Sequence, residues 1–187
     1  MHIPKKGLRA LGIAESYSGR LCSSLCGVVM RKDLLIDGFA FAPVTVGGMD
    51  ATGAVLSIFN GLNRRDINVI MLSGSVIAWF NVIDADGVFQ ETGVPVICVT
   101  YEESPGLEED ILYHFPGDAD RLAAYRRLGV RTPFTLPGGL MVFLRSWGMS
   151  IDDASRLVSA FTHQGKIPEP LRVARLCARA AFSGSGT

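Results

Sequence analysis

Two rhythms of hydrophobic and polar positions divide the chain. Residues 8–14 (LRALGIA) and 21–30 (LCSSLCGVVM) are apolar runs too short for ordinary helices. The first ends in Glu15-Ser16-Tyr17-Ser18-Gly19 and the second in Arg31-Lys32-Asp33, so both predict strands closed by polar turns. Residues 34–46 (LLIDGFAFAPVTV) predict a third strand, in which Leu34, Ile36, Gly38, Ala40, Ala42 and Val44 alternate with Leu35, Asp37, Phe39, Phe41 and Pro43. Pro43 has no N–H for a ladder and suits an edge or a bulge. Connections this short make the three strands an antiparallel meander.

The rhythm changes after Gly47-Gly48-Met49-Asp50. Over residues 51–63, Val55, Ile58, Phe59 and Leu62 share one face of a helix, with Asp50 at its N-cap. Residues 69–72 (VIML) are apolar throughout, the pattern of a strand buried on both faces, and they break at Ser73-Gly74-Ser75. Asp84 is placed to cap a short helix ending at Gly93, and residues 94–101 (VPVICVTY) form another fully apolar strand. Residues 107–115 and 119–128 predict helices around a Pro116-Gly117 break, and 134–136 with 140–144 predict a hairpin around Pro137-Gly138-Gly139. Ser150 and Asp153 start a helix over 151–162, and Pro170 sits in the tolerant first turn of another over 171–182. The tail SGSGT predicts disorder.

Three antiparallel strands, then helix, strand, helix, strand and further helices, describe one α/β domain over residues 1–187. Its mixed sheet joins an antiparallel meander to parallel strands through right-handed crossovers with flanking helices, the plan of a ribonuclease H-like fold. Ligands in such sheets collect just beyond the C-terminal ends of parallel strands, which singles out Ser73.

Composition narrows the function classes only a little. The 187 residues are 48% hydrophobic with a formal net charge of zero, so nothing in the overall balance demands a polyanionic partner. No apolar run approaches the roughly 20 residues of a membrane span, and the N-terminus lacks a signal-peptide core. A cytoplasmic protein without a membrane partner is expected. Cys22 and Cys26 would lie on one face of a strand roughly 13 Å apart, too far to share a zinc ion, and no CxxC pair exists.

Several strings carry a resemblance. GVVMRKDLLIDGFAFAPVTVGGMDAT, VIMLSGSVIAWFNVID, ETGVPVICVT and GKIPEPLRVARLCARA resemble successive motifs of an archaeal family of unknown function related to endonuclease V. The resemblance implies a ribonuclease H-like fold and a nucleic-acid substrate, DNA or RNA. In the wider fold, Mg²⁺ or Mn²⁺ ions held by carboxylates from different elements clamp the scissile phosphate.

That chemistry can be followed position by position. After Gly12-Ile13 the related proteins carry acids, whereas this chain has Ala14 and then Glu15. Asp50 stands where an acid is expected after the third strand. At the tip of the fourth strand the pattern is Leu-Asp-Gly, and this chain has Leu72-Ser73-Gly74. Phe80, Asn81 and Asp84 match a Phe-Asn-x-x-Asp pattern. The resemblance thus implies Asp50, Glu15 and Asp84 as the catalytic set, with Asp50 and Glu15 as metal ligands.

Each residue also has a plainer reading. Asp50 and Asp84 suit helix N-caps, Glu15 a solvated strand end, and Asn81 a turn that bonds its own backbone. Ser73 has no GxSxG elbow and no assignable histidine, which argues against a serine hydrolase and for a small polar residue at a strand tip. On the last helix Arg172, Arg175 and Arg179 form one stripe opposite Val173, Leu176, Cys177 and Ala180. With Lys166 that stripe could contact phosphates, and with Ser73 and Asn81 it makes the expected substrate-binding set. The favoured function is a degenerate, non-catalytic endonuclease V-like domain that binds a nucleic acid or protein partner. An active metal-dependent endonuclease, a small-molecule enzyme using the same crevice, and a homo-oligomer are left open.

Overall fold

The computed structural model describes residues 7–16 and 21–183. Within it β1 (Arg9–Ser16), β2 (Cys22–Arg31) and β3 (Ile36–Thr45) form the expected meander. β1 lies antiparallel to β2 without a break in register, from Arg9 opposite Arg31 to Ser16 opposite Ser24. β3 is the edge strand, which gives Pro43 a place where its missing N–H interrupts no ladder. Helix α1 (Ala51–Leu62) leads to β4 (Val69–Ser73), which pairs in parallel with β1. After the short hairpin of β5 (Val76–Ile77) and β6 (Asn81–Val82), helix α2 (Ala85–Thr92) crosses to β7 (Val96–Thr100), parallel to β4.

Helices α3 (Glu108–His114) and α4 (Ala119–Arg127) precede β8 (Thr132–Thr135) and β9 (Met141–Trp147), and β9 returns antiparallel to β7. Helices α5 (Ile151–Phe161) and α6 (Glu169–Ser183) complete the described chain. The seven-stranded sheet runs β3-β2-β1-β4-β7-β9-β8. The expected elements are all present, with ends displaced by a few residues. The expected tail falls almost wholly on residues 184–187, outside the described residues, as does the turn at 17–20. No described helix is long and apolar enough to cross a membrane.

β4 shows why the sheet is covered on both faces. Ile70 and Leu72 join a core with Leu11, Val55, Ile58 and Val88, on the α1 and α2 side. Val69 and Met71 join a second core with Ile97, Leu157 and Phe161, on the α5 side. Period-two alternation sends neighbouring side chains to opposite layers, so every position from Val69 to Leu72 is apolar and fully buried. Burying each such side chain contributes about 1.5–3 kcal/mol. α6 packs on β1 and β2 so tightly that a Cβ on Gly12 would lie 2.5 Å from the Pro170 carbonyl carbon.

Two local features depart from expectation. The β5–β6 hairpin carries no recognisable turn signal, because its loop, Ala78, Trp79 and Phe80, is left-handed without a glycine, at φ 42°, 56° and 64°. L-residues reach that region at about 1–2 kcal/mol each, so tertiary contacts must hold it. α6 is also rotated from the expected face. Leu171, Ala174 and Ala178 are buried, Val173 and Cys177 are partly covered, and Leu176 and Ala180 are exposed. Ala174 and Ala178 pack on Ala14, Cys26 and Val28, while the close approach at Gly12 is made by Pro170.

Candidate functional site

The C-terminal ends of β1, β4 and β7 open on a cavity of about 470 Å³, bordered by Glu15, Ser73, Tyr101, Arg175 and Arg179 among others. It sits where parallel neighbours end, the position expected to collect ligands.

Glu15 reaches this cavity without any bulge in β1. Its Oε1 accepts the Ser23 hydroxyl at 2.6 Å, and its Oε2 accepts the Ala78 N–H at 2.9 Å. Both carboxylate oxygens are thereby engaged, and the second bond helps hold the left-handed hairpin loop. Ala14 points the other way, buried with Cys26, Ala174 and Ala178 beneath α6. Ser73 lines the cavity at the tip of β4. Tyr101 is a cavity residue that the sequence reading misses, and its place at the end of an apolar run is the signal that could have found it. Its buried hydroxyl has no hydrogen-bond partner. Burial pushes the phenol up to about 12, while the charge of Arg175 pulls in the opposite direction.

Arg175 and Arg179 stand about one turn apart on α6 and both line the cavity. The other two expected phosphate contacts do not. Arg172 is paired with Glu169, Nε to Oε2 at 2.9 Å, and this hydrogen bond raises its pKa. Lys166 donates to Glu102 Oε1 at 2.6 Å and to the Tyr101 carbonyl at 2.8 Å. Neither ion pair is visible in the sequence pattern that groups the four cations together.

Asp50 and Asn81 correct their simple cap and turn readings. Asp50 occupies the cap position of α1, but its side chain makes no capping bond. Its carboxylate instead accepts from the Thr45 N–H at 3.1 Å, the Thr45 hydroxyl at 2.7 Å and Asn81 Nδ2 at 2.6 Å. Burial raises its pKa, but the hydrogen bonds from Thr45 and Asn81 outweigh that and hold the carboxyl below its usual range. Asn81 is fully buried, and its Oδ1 accepts the Ala51 N–H at 3.0 Å, supplying the cap that Asp50 does not. Its Nδ2 also donates to the Thr45 carbonyl at 2.9 Å. Asn81 is therefore an internal clasp and borders no part of the cavity. Asp84 does cap α2, accepting from the Gly87 N–H at 3.0 Å, and it too lies off the cavity wall.

The structure thus brings Glu15, Ser73, Arg175 and Arg179 together and leaves Asp50, Asp84, Asn81, Lys166 and Arg172 in separate contacts. A pair of magnesium or manganese ions needs converging hard oxygen ligands. Among the described residues no three His, Cys, Asp or Glu side chains are placed to hold a metal. The cavity instead sets two guanidiniums near two glutamates, Glu15 already bonded at both oxygens and Glu102 paired with Lys166. These residues do not fit a metal cluster. They fit an anion approached by arginines.

The family model for Endonuclease dU matches residues 6–182. The chain belongs to that family. A UPF0215 protein of Pyrobaculum calidifontis is 39% identical over 170 residues, covering 90% of this chain and 93% of the relative. A protein of unknown function from Archaeoglobus fulgidus superposes with a TM-score of 0.79 at 26% identity, covering 93% of this chain and 98% of that one. Endonuclease V of Ciona intestinalis, solved with a DNA containing inosine, gives a TM-score of 0.64 at 16% identity. That match covers 96% of this chain and 87% of the other. The ribonuclease H-like fold of endonuclease V is therefore the fold of this Endonuclease dU family member, and the archaeal relationship suggested by its motifs holds.

Proposed function

We propose that this Endonuclease dU family member is a nucleic-acid-binding domain in which arginines have taken over from metal ions at the strand tip. One observation carries the reading. The cavity at the ends of β1, β4 and β7 presents Arg175 and Arg179, and its strand-tip residue is Ser73. Guanidiniums bind phosphate oxygens through charge-assisted, often bidentate hydrogen bonds. Glu15 serves as a fixed acceptor on the opposite wall and keeps the hairpin loop in place. The DNA-bound relative in the same fold supports nucleic acid as the ligand class.

Fluorescence anisotropy with short single-stranded DNA and RNA, with and without deoxyuridine or inosine, tests the proposal. Binding is expected to persist in EDTA. Replacing Arg175 and Arg179 by Gln should weaken it and reduce the slope of log K against log salt by about one for each phosphate no longer neutralised. Cleavage in Mg²⁺ or Mn²⁺ that disappears in Asp50→Ala would overturn the reading in favour of an active endonuclease using Glu15, Asp50 and Asp84.

A further inference from the structure

Behind the tip of β4 lies a smaller pocket of about 200 Å³ that shares Gly74, Val76 and Thr100 with the larger cavity. It is also bordered by Ser75, Ser104, Tyr125, Arg131 and Arg145, and no carboxylate lines it. Among the described residues, neither arginine pairs with an acid. Arg145 donates from Nε to the Gly129 carbonyl at 2.9 Å and from Nη1 to Ser75 Oγ at 3.3 Å. Arg131 donates to the carbonyls of Glu102 and Ser104 at 3.1 and 2.7 Å. The backbone thus aims both guanidiniums without neutralising either. Tyr125 accepts the Leu107 N–H at 2.9 Å, which leaves its own O–H proton to donate.

Two uncompensated positive charges side by side are costly in a partly buried site. Burial lowers the Arg145 pKa, with Arg131 adding to the effect and Cys98 and Tyr125 opposing it. Arg145 also borders a wider hollow with Glu108, Glu109 and Asp110, but Glu108 is held by Arg126 at 2.7 Å. The smaller pocket is rich in donors and poor in acceptors. Its volume lies below the roughly 300–1,000 Å³ of drug-sized ligand sites. We propose that the Arg131–Arg145 pocket is a binding site for a phosphate group, separate from the arginines of α6.

The site stands independently of the nucleic-acid reading. Its test is a titration of the full chain with inorganic phosphate, followed by amide chemical shifts. Resonances of Ser75, Ser104 and Leu107 should move, and should still move in the Arg175→Gln/Arg179→Gln double variant. Arg145→Gln should weaken that response by about tenfold or more, with Arg145→Lys intermediate and its remaining spectrum native. A 5′-phosphorylated oligonucleotide compared with its unphosphorylated form identifies the source. Tighter binding of the former at the same amides assigns a nucleic-acid end, and a response to free phosphate alone assigns the free ion. Either supports the site. Unmoved resonances with both ligands, or an undiminished response in Arg145→Gln, would overturn it. These amides respond whether or not the α6 arginines bind nucleic acid, so the two readings can fail separately.

Discussion

Asn81 Nδ2 donates to Asp50 Oδ1 at 2.6 Å, so a residue beyond the tip of β4 holds the carboxylate that precedes α1. The same amide caps α1 through Ala51 and bonds the Thr45 carbonyl. Asn81→Leu would leave the buried Ala51 N–H without its acceptor and take one of the donors from the exposed Asp50 carboxylate. A loss of about 2–4 kcal/mol in urea-unfolding stability is expected. An unchanged urea midpoint would mean that water replaces the amide.

Acid should reveal the hydrogen-bonded carboxylates. Hydrogen bonds and charge from Arg64 bring Asp66 down to about 2, and Asp50 is also held below its usual range. A depressed folded-state pKa adds stability above the unfolded value of about 3.9 and loses it as pH falls through the folded pKa. Stability should therefore decline between about pH 4 and pH 2. Asp50→Asn should reduce that slope, as read from urea midpoints across the pH series.

Much of the fold can be read because its signals are local. The apolar run Val69–Leu72, the Asp84 cap and the Ser150 cap with its Asp153 N–H each announce themselves within a few residues. The site is less legible because its decisive contacts are remote. Asn81 resembles a turn residue until Ala51, thirty positions earlier, comes beside it. Arg172 matches Arg175 in spacing along the helix, yet Glu169 removes it from the cationic set. The β5–β6 loop is hidden for another reason: its left-handed residues are Ala, Trp and Phe, which carry no such preference.

Leu34 offers a simple test of backbone strain. It is left-handed at φ 69° and about 38% exposed, in the turn between β2 and β3. Leu34→Gly removes the Cβ clash, so a gain of about 0.5–1 kcal/mol is expected. A lower melting temperature would show that the leucine side chain contributes more packing than its exposure suggests.

The thiols should separate by reactivity. Cys22 is exposed, whereas Cys26 is buried and pushed up to about 12 by burial and by Cys177 beside it. Cys98 is raised by burial too. Under native conditions a disulfide reagent should modify Cys22 quickly and reach Cys26 and Cys98 only on unfolding. Fast labelling of Cys98 in peptide maps would point to opening of the sheet at β7.

Gly12→Ala should be among the most damaging single-methyl changes, since the added carbon would meet Pro170 backbone atoms at 2.5 and 2.6 Å. Overpacking of this kind costs about 1–3 kcal/mol, measurable by calorimetry. The contact has a wider meaning. Two stretches 158 residues apart in Gly12 and Pro170 work as a single hinge pin, and Arg175 and Arg179 hang from it like the arm of a gauge. The reach of the arginines is thus set by the absence of one carbon atom on β1, so the calibration of this cavity is written at a residue with no side chain.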